Sequence, residues 1–443
     1  MYWNPEIETL DAESVARMQS RKLRAMLRMA YHHHPFYRPL LRSRGIDPRD
    51  IAGPDDLRKL PFTTQADLAR DPEAFVLPVP GGKQPGRLSA RMQVFYDSMV
   101  DGNKTDRRVY EYHPVIAFES LGWRTPPYRV YMAAYDKAIF KELCGRAAMC
   151  SGLSKADRLL NTHHPGRGIS FWSTVQECLS RGACCSSPGQ PGPEEDALTC
   201  AGLQPTAISG SPVYLYYLAR AARRLGTGLG SLEKAYLSGC PMDAGLRGKL
   251  LSQLRQAGAE PALYEQYAVT EARHCLAECA PGSGFHTSPD VHAWECVDPA
   301  TGEQVGPGEP GELAFTTIDG RGSVLLRYRT GDVAEGGIVY DSCTRCGRTA
   351  PRIAGPLRRN APGADPLRIA RALLAVDGIS HVTVGRAWQG STAGTVVRVV
   401  PEGPPSDELY GRVRDACAID GHQLTVVFEP APPQPGLPGK MLY

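Results

Sequence analysis

In residues 13–30, "ESVARMQSRKLRAMLRMA", Val15, Met18, Leu23, Met26, Leu27 and Met29 recur at roughly helical spacing between basic residues. That period predicts an amphipathic helix lying on a larger body. The following "HHHPFYRPLL" reads as extended chain before proline, its histidines pointing different ways and solvated. Pro54-Asp55-Asp56 and Thr63-Thr64 mark two further helix starts.

From about 110 to 265 the pattern alternates between short apolar strands and helices. "YRVYMAAY", "RLLNTH", "ACCSS", "TAISGSP" and "KAYLSG" read as strands. "ISFWSTVQECLSRG", "VYLYYLARAARRLG" and "AGLRGKLLSQLRQAG" read as helices, with Gly182 and Gly258 as stops. Such alternation predicts an α/β domain with a largely parallel sheet. Between 290 and 340, "HAWECVDP", "GELAFTTID" and "GGIVYD" are strands joined by Gly/Pro/Asp turns, a β-rich part. After the turn-rich "RIAGPLRRNAPGADP" come a helix, strands 381–385 and 395–400, a helix 406–417 and a strand 423–428, then a Pro-rich tail. The expected division is a large domain, 1–354, and a small mobile α+β domain, 355–443.

Composition narrows the class. With 443 residues the chain exceeds one compact core, and 42% apolar with 22% charged residues is ordinary for a soluble globular protein. The net charge of +3 is spread along the chain, so nucleic acid and acidic membrane surfaces are not expected partners. The acidic "MYWNPEIETLDAES" lacks a basic-then-apolar signal pattern, and no apolar run reaches membrane-spanning length; a cytoplasmic setting is expected.

The 13 cysteines, an odd number, argue against a disulfide framework. Cys144, Cys150, Cys178, Cys200 and Cys417 lie singly in apolar surroundings and read as small buried hydrophobes. Cys343 and Cys346 in "CTRCG" differ: two thiolates at this spacing can grip one tetrahedral zinc. Upstream, "EARHCLAECAPGSGFHTSP" offers Cys279 and His286, with Cys275 as competitor. Cys279, His286, Cys343 and Cys346 form the expected Cys3His site, structural because no position is left for water.

Two further stretches, "EQYAVTEA" and "LLRYRTGDV", each put a hydroxyl and a carboxylate at a strand end: Thr270 with Glu271, and Thr330 with Asp332. A carboxylate can accept from two ribose hydroxyls, or hold magnesium beside a triphosphate. Together with "HPFYRPLLRSRGIDPRDIAGPDDLRKLPFTT", "GFHTSPDVHAWECVDPATGEQVGPGEPGELAFTT" and "CTRCGRTAPRI", these stretches resemble the phenylacetate–CoA ligase-like branch of the adenylate-forming (AMP-binding) superfamily. The resemblance spans nearly the whole chain and is densest from 261 to 353.

It implies the adenylate-forming α/β fold: a large multi-part N-terminal body with a β-rich portion, and a small α+β C-terminal domain. It also implies ATP and Mg2+ as well as structural Zn2+, and activation of a small, aromatic carboxylic acid as an acyl-adenylate passed to an amine or thiol. Carried over, Tyr267 stacks on adenine, Thr270 contacts the α-phosphate, Glu271 holds magnesium and Asp332 binds ribose. "SGCP" supplies an adenine-side turn, Gly239, Cys240 and Pro241, and "GLPGKML" supplies Lys440 as catalytic lysine. Tyr131, Tyr135, Ser209, Ser211 and Tyr214 are the candidates for the acid pocket.

The chain departs from the family in two places. "DSMVDGNKT" stands where a Ser/Thr/Gly phosphate loop is usual, leaving Ser98, Gly102, Lys104 and Thr105 as matches. "GPLRRNAPG" stands where the family has a Gly-Arg-x-Asp-Asp hinge. Hence an alternative from another class: a catalytically impaired, zinc-stabilised relative that binds a nucleotide or ligand as partner or regulator. The expected partners are a small-molecule acid and a nucleophilic acceptor, with a homodimer allowed.

Overall fold

The computed structural model describes residues 1–79, 107–120, 125–166, 168–189, 191–359, 366–389, 392–418 and 424–429. The amphipathic period at the start becomes α1 (Ala12–His33), capped by Asp11, whose side chain accepts from the Ser14 amide. It buries Val15, Leu23, Met26, Leu27 and Ala30. The structure corrects part of the reading of the three histidines: His32 is exposed as expected, but the segment is helical and His34 is buried. His32 and His33 belong to the last turn of α1, and His34 is its fully buried C-cap. His34 Nδ1 accepts from the amides of Phe36 and Tyr37, both at 3.2 Å, and Nε2 lies 3.2 Å from the Val324 carbonyl. Burial drives its pKa down to about 3, so it stays a neutral bracket joining two distant segments.

The central sheet explains the alternating middle of the sequence. Strands β3 (Arg158–Asn161), β4 (Cys184–Ser186), β5 (Ala207–Gly210), β6 (Lys234–Leu237) and β7 (Ala262–Val269) run parallel in the order β4-β3-β5-β6-β7. Four short antiparallel strands extend it: β8 (His274–Ala277), β9 (Phe285–His286), β14 (Arg352–Ile353) and β13 (Ile338–Val339).

Helices α2 (Asp136–Cys150) and α3 (Ile169–Arg181) cover one face, where Ala148, Leu159, Cys178, Ala207 and Tyr236 pack together. On the other lie α4 (Pro193–Leu203), α5 (Pro212–Leu225) and α6 (Ala244–Gln256), around Leu160, Ile208, Ala235 and Leu237. Gly182 ends α3 in a left-handed conformation, φ 70°, which glycine adopts without a Cβ penalty. The sequence period did not mark α2 because its C-terminal half, from Leu143 on, is buried nearly all round; a Cβ on its Gly145 would fall 2.3 Å from the Trp3 ring.

Strand order reverses between β3 and β5: α3 carries the chain outward to β4, and α4 brings it back past β3 to β5. In open α/β sheets the crevice at such a reversal, beyond the carboxyl ends of the strands, is where ligands bind.

The β-rich part is an antiparallel sheet of β10 (His292–Val297), β11 (Gly311–Thr317), β12 (Tyr328–Ala334) and β15 (Leu357–Arg359), beside a ribbon of β1 (Pro114–Glu119) and β2 (Arg129–Ala133). The final unit holds α7 (Pro366–Leu373), β16 (Ile379–Gln389), β17 (Thr392–Pro401), α8 (Asp407–Cys417) and β18 (Leu424–Phe428). Its strands outrun the sequence reading because β16 and β17 pair as one long hairpin. Its buried Leu373, Val382 and Val397 share a core with Tyr216 and Tyr217 of α5. No helix among the described residues is long and apolar enough to cross a membrane.

Candidate active site

β7 ends at Val269, and the turn Thr270–Arg273 reverses into β8. Arg273 holds a left-handed backbone, φ 52°, and its buried guanidinium donates to the carbonyls of Tyr131, at 3.3 Å, and Ser323. The turn bearing Thr270 and Glu271 is thereby clamped to β2. β12 carries Tyr328, Thr330 and Asp332; a bulge with Gly331 at φ 78° breaks its register with β11, and Thr330 and Asp332 share the face toward the Tyr267 hydroxyl.

From that face Asp332 Oδ2 accepts from the Tyr267 hydroxyl at 2.9 Å, and Oδ1 accepts from Arg359 Nε at 3.2 Å. Glu271 Oε1 accepts from the Tyr128 hydroxyl, which lies 3.0 Å from that of Tyr328. The structure therefore gathers Tyr267, Thr270, Glu271 and Asp332 between β7 and β12. Burial, with the nearby carboxylates, pushes the hydroxyls of Tyr128, Tyr267 and Tyr328 well above the ordinary tyrosine range, so all three remain donors.

Asp332 and Glu271 are each 9% exposed, buried yet on the rim. A carboxylate has about four lone-pair positions, so Asp332 can keep Tyr267 and Arg359 and still accept two ribose hydroxyls, while Glu271 retains capacity for a cation. Thr330 is committed elsewhere, donating to the Leu313 carbonyl at 2.8 Å. The Tyr267 ring packs beside Phe285 and Trp294, with centroids 6.0 and 6.3 Å away.

At the end of β6, Gly239 turns the chain with φ 92°, placing Cys240 and Pro241 half-buried beyond the strand. Ser238 Oγ there lies 3.1 Å from His163 Nε2.

The five acid-pocket candidates do not meet. Ser209 stands at the strand reversal, its Oγ 3.0 Å from Thr174 Oγ1 of α3. Ser211 caps α5 by accepting from the Tyr214 amide at 3.2 Å. Tyr214 turns to the opposite face, where its hydroxyl donates to Asp196 at 2.5 Å. Tyr131 and Tyr135 lie by the β-rich part: Ser323 Oγ accepts from the Tyr131 amide at 2.9 Å, and the Tyr135 hydroxyl donates to Asp319 at 3.1 Å. Ser98, Gly102, Lys104, Thr105 and Lys440 lie outside the described residues.

Sequence reasoning missed Tyr128, Tyr328 and Arg359. Tyr328 was detectable, since it precedes Thr330 by one strand period. Arg359 faces Asp332 only through the β12–β15 register. Tyr128 left no signal, because its partner lies 143 residues away.

The Cys3His set does assemble: the ligand atoms of Cys279, His286, Cys343 and Cys346 lie within 4.8 Å of one another. Cys279 and Cys343 sulfurs are 3.6 Å apart, and Cys346 Sγ is 3.5 Å from His286 Nε2. A tetrahedral zinc with ordinary bond lengths separates two sulfurs by about 3.8 Å and a sulfur from a nitrogen by about 3.6 Å, so the donor set fits that ion. Gly347, φ 75°, closes the knuckle by donating its amide to the Cys343 carbonyl at 2.8 Å. Cys275, the competing thiol, is instead buried in β8.

No family model matches the chain. Among curated proteins it is similar to the phenylacetate-coenzyme A ligase of Thermus thermophilus, 29% identical over 363 residues, covering 81% of this chain and 73% of that protein. The Escherichia coli phenylacetate-coenzyme A ligase is 25% identical over 367 residues, covering 79% and 72%. Among solved structures, 2-hydroxyisobutyryl-CoA ligase in its postadenylation state superposes with a TM-score of 0.66 at 19% identity, covering 97% of this chain and 88% of that one. The same ligase in its thioesterification state gives 0.65 at 17% identity, covering 99% and 91%. By sequence the chain is similar to phenylacetate-coenzyme A ligases, and by fold to 2-hydroxyisobutyryl-CoA ligase.

Proposed function

We propose that this protein is an AMP-forming ligase that activates an aromatic carboxylic acid and passes the acyl group to a thiol, that of coenzyme A. The carboxylate oxygen attacks the α-phosphorus of ATP, the α–β bridge breaks and pyrophosphate leaves. The thiol sulfur then attacks the acyl carbon, and AMP departs with the bond electrons. The convergence of Tyr267, Glu271 and Asp332 between β7 and β12 carries this reading; the names of the relatives support the acid and the acceptor.

In that site Asp332 accepts from the ribose hydroxyls, Tyr267 borders the base and Thr270 donates to the α-phosphate. Glu271 would hold magnesium, which when bound would offset charge on the phosphates. Lys440 supplies the fixed cation for the charge that develops in the transition state. Ser98, Gly102, Lys104 and Thr105, which lie outside the described residues, would supply the groups that bind the outer phosphates, and Cys279, His286, Cys343 and Cys346 would hold a structural zinc.

The test is acid-dependent ATP–pyrophosphate exchange with a panel of aryl acids. Wild type should exchange, and Lys440→Ala should lower the rate by about 10²-fold or more. Absence of exchange with every acid would remove the reading. A second assay with coenzyme A and a simple amine should give product with the thiol.

A further inference from the structure

On the α3 side of the sheet, at the strand reversal, sits a buried group of uncharged polar side chains that the adenylation chemistry leaves unused. Ser209 and Ser238 close the ends of β5 and β6, Gln266 stands on β7 beside them, and Thr174 and Glu177 face them from α3. Glu177 is 2% exposed. Its Oε2 accepts from Gln266 Nε2 at 3.0 Å, while its Oε1 has no hydrogen-bond partner among the described residues. An unmatched buried polar atom of this kind costs about 1–3 kcal/mol, and in a ligand crevice the ligand is the natural partner.

We propose that the acid activated here carries a hydroxyl or amino group on its ring, remote from the reacting carboxylate, and that Glu177 Oε1 receives it. The inference rests on the adenylation reading above and deepens it. Residues of one face of β7 set the layout. Gln266 marks the floor beside Glu177. Two residues on, Ala268 packs against the apolar cluster of Phe118, Phe140 and Ile169, which makes a wall suited to a ring. Two further on, Thr270 marks the reacting end. At about 3.4 Å per residue, Gln266 and Thr270 stand roughly 13 Å apart along the strand, a span that a one-ring acid would bridge between the two polar ends. Burial raises the Glu177 carboxyl to about 8, so near neutral pH it is protonated and pairs with a neutral substituent without placing a bare charge in the core.

The full chain is assayed by ATP–pyrophosphate exchange with matched benzoic and phenylacetic acids bearing hydrogen, methyl, hydroxyl or amino at the ring position remote from the carboxylate. Methyl matches the polar groups in size without their hydrogen bonding. The expected result is kcat/KM at least tenfold higher for hydroxyl or amino than for methyl, with Glu177→Leu bringing that ratio near one while exchange with the methyl acid persists. Glu177→Gln, which keeps volume and a hydrogen-bonding end, should retain the preference for hydroxyl and covers the case in which the leucine variant does not fold. Preference for methyl or hydrogen in wild type, or an unchanged ratio in Glu177→Leu, overturns the inference and leaves adenylation standing. Loss of exchange with every acid removes both.

Discussion

At the scale of single residues, the site depends on hydroxyls that hold carboxylates in place. Tyr128 donates to Glu271 and stays protonated because burial opposes its ionisation. Tyr128→Phe removes that donor with little change of volume, so Glu271 loses its fixed direction. Exchange activity should fall about tenfold, about 1.4 kcal/mol of barrier, and the Mg2+ concentration giving half-maximal rate should rise. An unchanged magnesium titration would reduce Tyr128 to packing.

The ion pair of Arg327 with Glu295 tests stability instead. Both side chains are nearly fully buried, 3% and 2% exposed, with nitrogen to oxygen distances of 3.0 and 3.2 Å. Arg327→Met would strand the glutamate, and urea unfolding should show a loss of about 3–5 kcal/mol. Adding Glu295→Leu should recover part of it. Neither pairing was legible in the sequence, where a buried arginine looks like any surface cation.

At the scale of elements, the Cys3His set ties together pieces too short to hold themselves. β9, β13 and β14 are two residues each and lie at the edge of the large sheet. Two-residue strands bury little, so a zinc held by Cys279, His286, Cys343 and Cys346 would cross-link and fix them. Metal analysis should find about one zinc per chain. A chelator strong enough to remove it, or Cys343→Ser, should lower the melting temperature and open the 340–350 segment to protease. Full metal loss with no change in either readout would reject the structural role. The Cys343/Cys346 pair was visible as a spacing, and the sequence already favoured Cys279 over Cys275; the fold gathers Cys279 to the pair and leaves Cys275 buried within β8.

For the whole molecule, buried titratable groups set opposing slopes of stability against pH. His34 and His381 are held neutral by burial, with pKa values down at about 3 and about 4. Their unfolded value is about 6.5, so as pH falls below it the unfolded chain takes up protons the folded one refuses, and stability is lost. Glu177 acts in the other direction. Its folded value of about 8 lies above the usual 4.5, so stability falls as pH rises between the two. The melting temperature should peak between about pH 6 and 7. Glu177→Gln should flatten the alkaline side up to about pH 8 and steepen the acid side between about pH 4.5 and 6. His381 also joins the final unit to the body, its ring edge-on to Tyr214 and Tyr217 at 5.6 and 5.7 Å.

The sequence alone determined the amphipathic α1, the alternation that builds the parallel sheet, the β-rich part and the order of motifs that carries the likeness to phenylacetate-coenzyme A ligases. These follow from periodicity and turn chemistry, which act between neighbours in the chain. Tertiary structure alone decided that His34 is a neutral bracket, that Tyr214 faces away from the strand ends, that Tyr128 holds Glu271 and that Glu177 keeps an oxygen unmatched among the described residues. Each of those depends on desolvation or on a partner brought close by folding, and no local pattern encodes which distant group will remove the water.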